Sequence, residues 1–267
     1  MRGVIRAEGP EARARFAPLF DGWKETPVWS ALQGCMGSVY GYAQAGETPE
    51  AGVCWNGDLL FFAGDPSSRG ASELAEACRD RLGNRYGILV PRTPSWDASL
   101  VKAFGSRARR SLRYAMQKEG DLFDRNRLVA MAAKTPVGVE LRRIDRELYT
   151  LALEAEWSRD LCSQFPSAEA YEAQGLGMAA LENGELVGGA SSYICYRGGI
   201  EIEVDTRADR RRRGIAAACC ARLILRCLAR GLYPSWDAAN RASVALAEKL
   251  GYHEAGGYPV FEVNAPE

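Results

Sequence analysis

The chain has 267 residues, 47% of them hydrophobic and 25% charged, a globular composition long enough for two domains of ordinary size. Lys plus Arg equals Asp plus Glu at 34 each, so net charge gives no reason to expect nucleic acid or an anionic membrane as partner, and neither is expected. A single histidine, eight cysteines without a CxxC pair, and no apolar run of membrane-spanning length argue against a zinc site, a membrane span and a secretory leader. The thiols then read as reduced core residues of a cytoplasmic protein that needs no metal.

The first half reads as mixed α/β. A helix is expected over 10–20, followed by a Trp-rich stretch through Trp23 and Trp29. Short strands follow over 38–42, 52–55 and 59–63, the last two joined at Asn56-Gly57-Asp58. Residues 68–82 carry helical apolar spacing at Leu74, Ala75 and Cys78, 88–90 is a strand, and 94–104 and 124–133 are helices. Arg107, Arg109, Arg110, Arg113 and Lys118 around Tyr114 read as a solvated helix face in preference to a nucleic-acid contact. Thr135-Pro136 is the expected seam, because a proline ends a helix there and a strand pattern begins at Val137. It divides a divergent N-terminal α/β domain (1–135) from a second domain (136–267).

The second half has a cleaner order. A strand is expected over 137–144, a helix over 145–165 capped by Asp145, and a short helix over 168–174. A hairpin over 176–181 and 185–196 turns at Asn183-Gly184, and a strand over 199–205 follows Gly198-Gly199. Then come a helix over 213–230, a strand over 232–236, a helix over 240–250, and two closing strands within 252–263 around Gly256-Gly257. The order β-α-α-β-β-β-α-β-α-β-β suggests a mixed, mostly antiparallel sheet flanked by helices, an α/β (α+β) fold, without fixing a chemistry.

The chemistry comes from the junction after the 199–205 strand, where Arg211-x-x-Gly214-x-Ala216 opens an apolar helix. Small residues at 214 and 216 let a ligand approach the backbone, and a helix start presents free N–H groups with a partial positive charge. Such a junction holds a pyrophosphate without a metal, and Arg211, Arg212 and Arg213 add cationic density. This R-x-x-G-x-A junction resembles the acetyl-CoA-binding signature of GNAT acyltransferases. A second segment, Asn240-x-x-Ser243 running to Gly251-Tyr252, resembles the helix that lines the pantetheine arm in the same superfamily. The strings at 189–193, 199–206 and 233–238 further resemble the zwittermicin-A-resistance-type GNAT subfamily, in which the catalytic domain follows a divergent domain, itself GNAT-like in some members. These motifs lie in the second half of the chain.

The resemblance implies a cytoplasmic N-acetyltransferase that uses acetyl-CoA as co-substrate and moves the acetyl group directly to a primary amine, here of a small molecule. The alternatives are a protein or peptide N-acetyltransferase and a non-catalytic acyl-CoA-binding regulatory module. It carries cofactor contacts to Val204, Thr206, Arg211, Arg212, Arg213, Gly214, Ile215, Ala216, Asn240 and Ser243, with the N–H near Val204 polarising the thioester carbonyl. Glu201, Glu203 and Asp205 alternate with apolar residues and should share a strand face, where clustered acids suit a general base. Glu203 is the first choice of base, then Glu201, with Asp237 nearby. The tyrosine that protonates the thiolate in many GNAT enzymes is Ala247 here, leaving Tyr252 or a water to substitute. His253 reads as a surface residue, and Trp157 and Trp236 as core aromatics. The first domain, lacking such a junction, should bind no acyl-CoA of its own; a homodimer is allowed.

Overall fold

The computed structural model describes residues 3–44 and 47–264. It divides into two compact units, Met1–Arg113 together with Gly257–Glu267, and Tyr114–Gly256. The seam expected at Thr135-Pro136 falls inside the second unit.

In the first unit the chain runs through β1 (Gly3–Arg6), α1 (Gly9–Phe16), α2 (Thr26–Gln33), β2 (Ser38–Ala43), β3 (Ala51–Asn56), β4 (Leu59–Gly64), α3 (Arg69–Leu82), β5 (Gly87–Pro91) and α4 (Asp97–Phe104), then enters β6 (Ala108–Met116). The strands stand in the order β1-β2-β3-β4-β5; β4 and β5 are parallel and the other neighbours antiparallel. Ser68 starts α3 by accepting a hydrogen bond from Ala71 N with its side chain, and Leu74, Ala75, Cys78 and Leu82 bury its apolar stripe. Gly41 is glycine for a contact reason: a Cβ there would lie 2.1 Å from Phe16 Cε1, where α1 lies on the sheet.

Two expectations for this half need correction, and one helix lies where the sequence reading assigned no element. The 10–20 helix tightens to a 3₁₀ turn over Ala17–Phe20, since Pro18 has no N–H to continue an α-helix. The Trp-rich stretch contains α2, with Pro27 in its first turn and Gly34 left-handed at its end. The basic run is strand β6, not a helix face. Ala108 packs on the core of the first unit, and Arg110 stays at the surface, paired with Asp97 and lying over the Phe261 ring.

In the second unit β6 ends and is followed by α5 (Arg125–Ala133), β7 (Val139–Arg143), α6 (Arg146–Glu154), α7 (Ala168–Gln174), β8 (Gly177–Glu182), β9 (Glu185–Tyr196), β10 (Gly199–Thr206), α8 (Ile215–Leu228), β11 (Tyr233–Ser235), β12 (Asp237–Ala238), α9 (Arg241–Leu250) and the start of β13 (Glu254–Val263). Its sheet has the order β11-β10-β9-β8-β7, with only β10 and β11 parallel, the mixed and mostly antiparallel sheet expected. The β8–β9 turn uses left-handed Asn183 and Gly184, as the sequence demanded. α8 buries Cys219, Cys220, Leu223, Ile224 and Cys227 completely.

Two expectations differ here. The helix over 145–165 stops at Glu154 and resumes as a 3₁₀ segment, Glu156–Leu161; buried Ser158 takes the Ala152 carbonyl with its hydroxyl at 2.8 Å. The closing region is one strand, β13, which passes through left-handed Gly256 without a turn. Its end, Phe261–Val263, pairs antiparallel with β5 and so belongs to the first unit, whereas the end of β6 pairs with β12 in the second. Each unit thus runs β-α-α-β-β-β-α-β, with a parallel pair bracketing a 14-residue helix.

Candidate active site

Every residue expected at the site lies in the second unit. Strands β10 and β11 pair only from Gly199 opposite Tyr233 to Glu201 opposite Ser235. Beyond that point β10 keeps only β9, pairing Ile202 with Ser192 through Thr206 with Gly188. The register shifts between Glu201 and Ile202 because β9 carries one extra residue, Tyr193, so nothing is inserted into β10 itself. A strand that parts from its neighbour must satisfy its amides otherwise. Val204 N–H does so by donating to its own neighbour, Glu203 Oε1, at 3.0 Å.

The three carboxylates of β10 meet different surroundings. Glu201 is 5% exposed; burial holds the phenols of Tyr196, Tyr233 and Tyr252 above their ordinary range, and the Glu201 charge adds a smaller rise to each. Glu203 is half-buried and engaged with the Val204 amide. Asp205 sits by Asp160 of the 3₁₀ segment and by Arg211. Burial pushes its carboxyl up to about 6, the Asp160 charge adds to the rise, and Arg211 opposes it. Asp237, on β12, pairs with Ala115; it does not cap α9, because Asn240 does.

The loop from β10 to α8 passes through a 3₁₀ turn, Ala208–Arg210, then Arg212 at φ 63° and Gly214 at φ 89°. Gly214 is the N-cap of α8 and offers no side chain, so the first turn of the helix is uncapped. Ile215 seats that turn on β9; a Cβ at Gly188 would come within 2.7 Å of Ile215 Cγ2. Ala216 follows in the same turn, half-buried.

The loop arginines are sorted by their partners. Arg210 and Arg213 both bind Glu182, at 2.5 and 2.8 Å, and together pull its carboxyl down to about 2. Arg207 holds Asp209 and Glu185. Arg211 spends its Nε on the Thr206 carbonyl at 3.2 Å, and among the described residues neither Arg211 nor Arg212 has an acidic partner in an ion pair. Arg213, expected as a phosphate contact, is therefore tied to β8, and Arg211 and Arg212 are the available cations. Thr206 Oγ1 is buried beside the loop without a hydrogen-bond partner.

On α9, Asn240 Oδ1 accepts from Ser243 N, and Ser243 Oγ accepts from Trp236 Nε1, both at 3.0 Å. Both side chains thus fix the helix start. Ala247 is fully buried, and the Tyr252 hydroxyl donates its proton to the Pro234 carbonyl at 2.6 Å. Burial holds that phenol well above its ordinary range, and its proton is already engaged by the Pro234 carbonyl. His253 is exposed with Nδ1 2.8 Å from Glu119, and Trp157 is half-buried. Sequence reasoning missed Glu182 and Asp160, which act across 28 and 45 positions and leave no local pattern.

This geometry has counterparts. A GCN5-related N-acetyltransferase-like protein from Streptococcus suis 89/1591 superposes with a TM-score of 0.87 at 40% identity, covering 95% of this chain and 98% of that one. An uncharacterized N-acetyltransferase of Bacillus subtilis (strain 168), YdfB, is 23% identical over 209 residues, 76% of this chain and 77% of the relative. A tandem GNAT protein from the clavulanic acid biosynthesis pathway covers 100% of this chain and 99% of its own at TM-score 0.60 and 12% identity, a likeness of fold alone. The GNAT acetyltransferase family profile matches residues 17–261, well beyond the half of the chain in which its motifs are visible. By that match and the 40% identical structure, the chain belongs to the GNAT acetyltransferase family and is an acyltransferase.

Proposed function

We propose that the protein moves an acetyl group from acetyl-CoA to a primary amine of a small molecule in the cytoplasm, as the zwittermicin-A-resistance-type subfamily resemblance implies. The observation that carries this reading is the uncapped first turn of α8 beside Arg211 and Arg212, which form no ion pair among the described residues, next to a strand that has parted from its neighbour. The N–H groups of Gly214, Ile215 and Ala216, with Arg211 and Arg212, suit a diphosphate. The gap beyond Glu201 suits an extended pantetheine chain, with Thr206 near its diphosphate end and α9 alongside. Arg213, Asn240 and Ser243 then act by holding the loop and the helix in place.

The amine arrives protonated and must first lose one proton. Glu203 is the proposed acceptor; Glu201 is buried, and Asp237 stands on β12. The nitrogen lone pair attacks the thioester carbon while Val204 N–H supports the oxygen. The C–S bond then breaks, the sulfur leaves with the electron pair, and the second nitrogen proton neutralises the thiolate. The occupied Tyr252 hydroxyl favours water as the carrier of that proton.

Calorimetry with acetyl-CoA, followed by a turnover screen over small amines, aminoglycosides and peptides, tests the reading. Turnover of a small amine supports it. Peptide turnover alone would make the protein a peptide acetyltransferase, and binding without turnover a sensing module.

A further inference from the structure

We infer that Glu203 and the thioester carbonyl share a single hydrogen-bond donor, Val204 N–H, so that acyl-CoA itself releases the base. This rests on the acetyl-transfer reading above. Past the last β10–β11 pair, the Val204 amide has found a resting acceptor in Glu203 Oε1 at 3.0 Å. Two things follow for the resting state. The donor that would support the developing oxyanion is occupied, and a carboxylate that accepts a backbone N–H is a weaker base than one that does not. A carbonyl oxygen entering the gap takes over the N–H, and the displaced carboxylate regains a lone pair.

That lone pair accepts the first proton of the ammonium group; the freed nitrogen pair then forms the N–C bond, the C–S bonding pair departs with sulfur, and the second nitrogen proton neutralises the thiolate. Activation of the base and alignment of the carbonyl become one event. Free CoA has no carbonyl and leaves the Glu203–Val204 contact intact. Acyl-CoA should therefore precede the amine, and the preference for acetyl-CoA over CoA should be held down by the carboxylate that must be displaced.

The test compares the dissociation constants of acetyl-CoA and CoA for the full chain and for Glu203→Ala and Glu203→Gln. In Glu203→Ala the ratio Kd(CoA)/Kd(acetyl-CoA) should rise about three- to tenfold, the scale of one net hydrogen bond to a charged group discounted for water access. Affinity for CoA itself should change less than twofold. Glu203→Gln keeps a neutral acceptor and should fall between. A ratio unchanged in both variants, or a parallel loss for both ligands, overturns the inference while leaving acetyl transfer standing. Failure of the unaltered protein to bind acetyl-CoA would instead remove the acetyl-transfer reading and this inference with it.

Discussion

The two units lay down the same succession of elements around a parallel strand pair, yet they differ in how that pair ends and in how the helix between its strands begins. In the first, β4 and β5 stay paired from Leu59 opposite Ile88 to Phe62 opposite Pro91, and Arg92 N continues the ladder to Phe62 O at 2.9 Å. In the second, β10 and β11 part after Glu201. The helix starts differ in the same sense. Ser68 caps α3, and Asp65 Oδ1 accepts from Ser67 N at 2.9 Å in the loop before it, whereas α8 begins at a bare glycine. A closed ladder and a self-satisfied helix start make a stable scaffold. An open ladder and an unsatisfied helix start cost stability and leave groups for a ligand to satisfy.

The largest effect should come from filling the open helix start. Gly214→Glu places bulk and negative charge at a backbone with φ 89°, and acetyl-CoA affinity should drop by about a hundredfold or more. Unchanged affinity in the folded variant would erase the distinction between the two helix starts. Next in size, Glu203→Gln should lower turnover by about 10² to 10⁴, with a smaller defect at high pH, where more of the amine is already neutral. Near-native turnover at pH 7 would pass the role to Glu201 or Asp237.

The comparison also fixes a stoichiometry: titration should find one acetyl-CoA per chain, and two would mean that the paired strands of the first unit open after all. A smaller effect concerns Asp205, whose folded carboxyl is raised to about 6 from 3.8. A raised carboxyl binds its proton more tightly when folded, so stability falls as pH climbs from about 4 to about 6. Asp205→Asn should flatten that decline and raise Tm at pH 7 relative to pH 4; a profile identical to the unaltered protein's would refute it. Smallest of all, Ser68→Ala should cost about 1 kcal/mol of stability by denaturation and leave acetyl-CoA affinity untouched.

Much of the second unit was legible because its signals are local. The Asn183-Gly184 turn and the helix start at Gly214 each act within a few residues, and each falls within two residues of where the sequence places it. The seam was not legible. A unit boundary is set by which distant strands pair, and Phe261 opposite Leu89 leaves no mark near Pro136. The basic run hid strand β6 because Arg110 owes its position to Asp97 and Phe261. The loop arginines could be counted from sequence but not sorted, since Glu182 reaches Arg210 and Arg213 from another hairpin. The repeated element order was hidden for the same reason: the two units share a succession of elements, while their loop residues, Asp65-Pro66-Ser67-Ser68 against Arg211 to Gly214, do not resemble each other.

The pairing of Phe261–Val263 with β5 sets a schedule for synthesis. On the ribosome, the first 113 residues emerge well before Phe261–Val263, and until those three residues are made the sheet keeps one flank of β5 bare. An unpaired strand edge is a template for association with other chains. A nascent or truncated chain ending at residue 256 would carry that edge, and Phe261–Val263 would act, when they arrive, as an intramolecular chaperone for the unit made first.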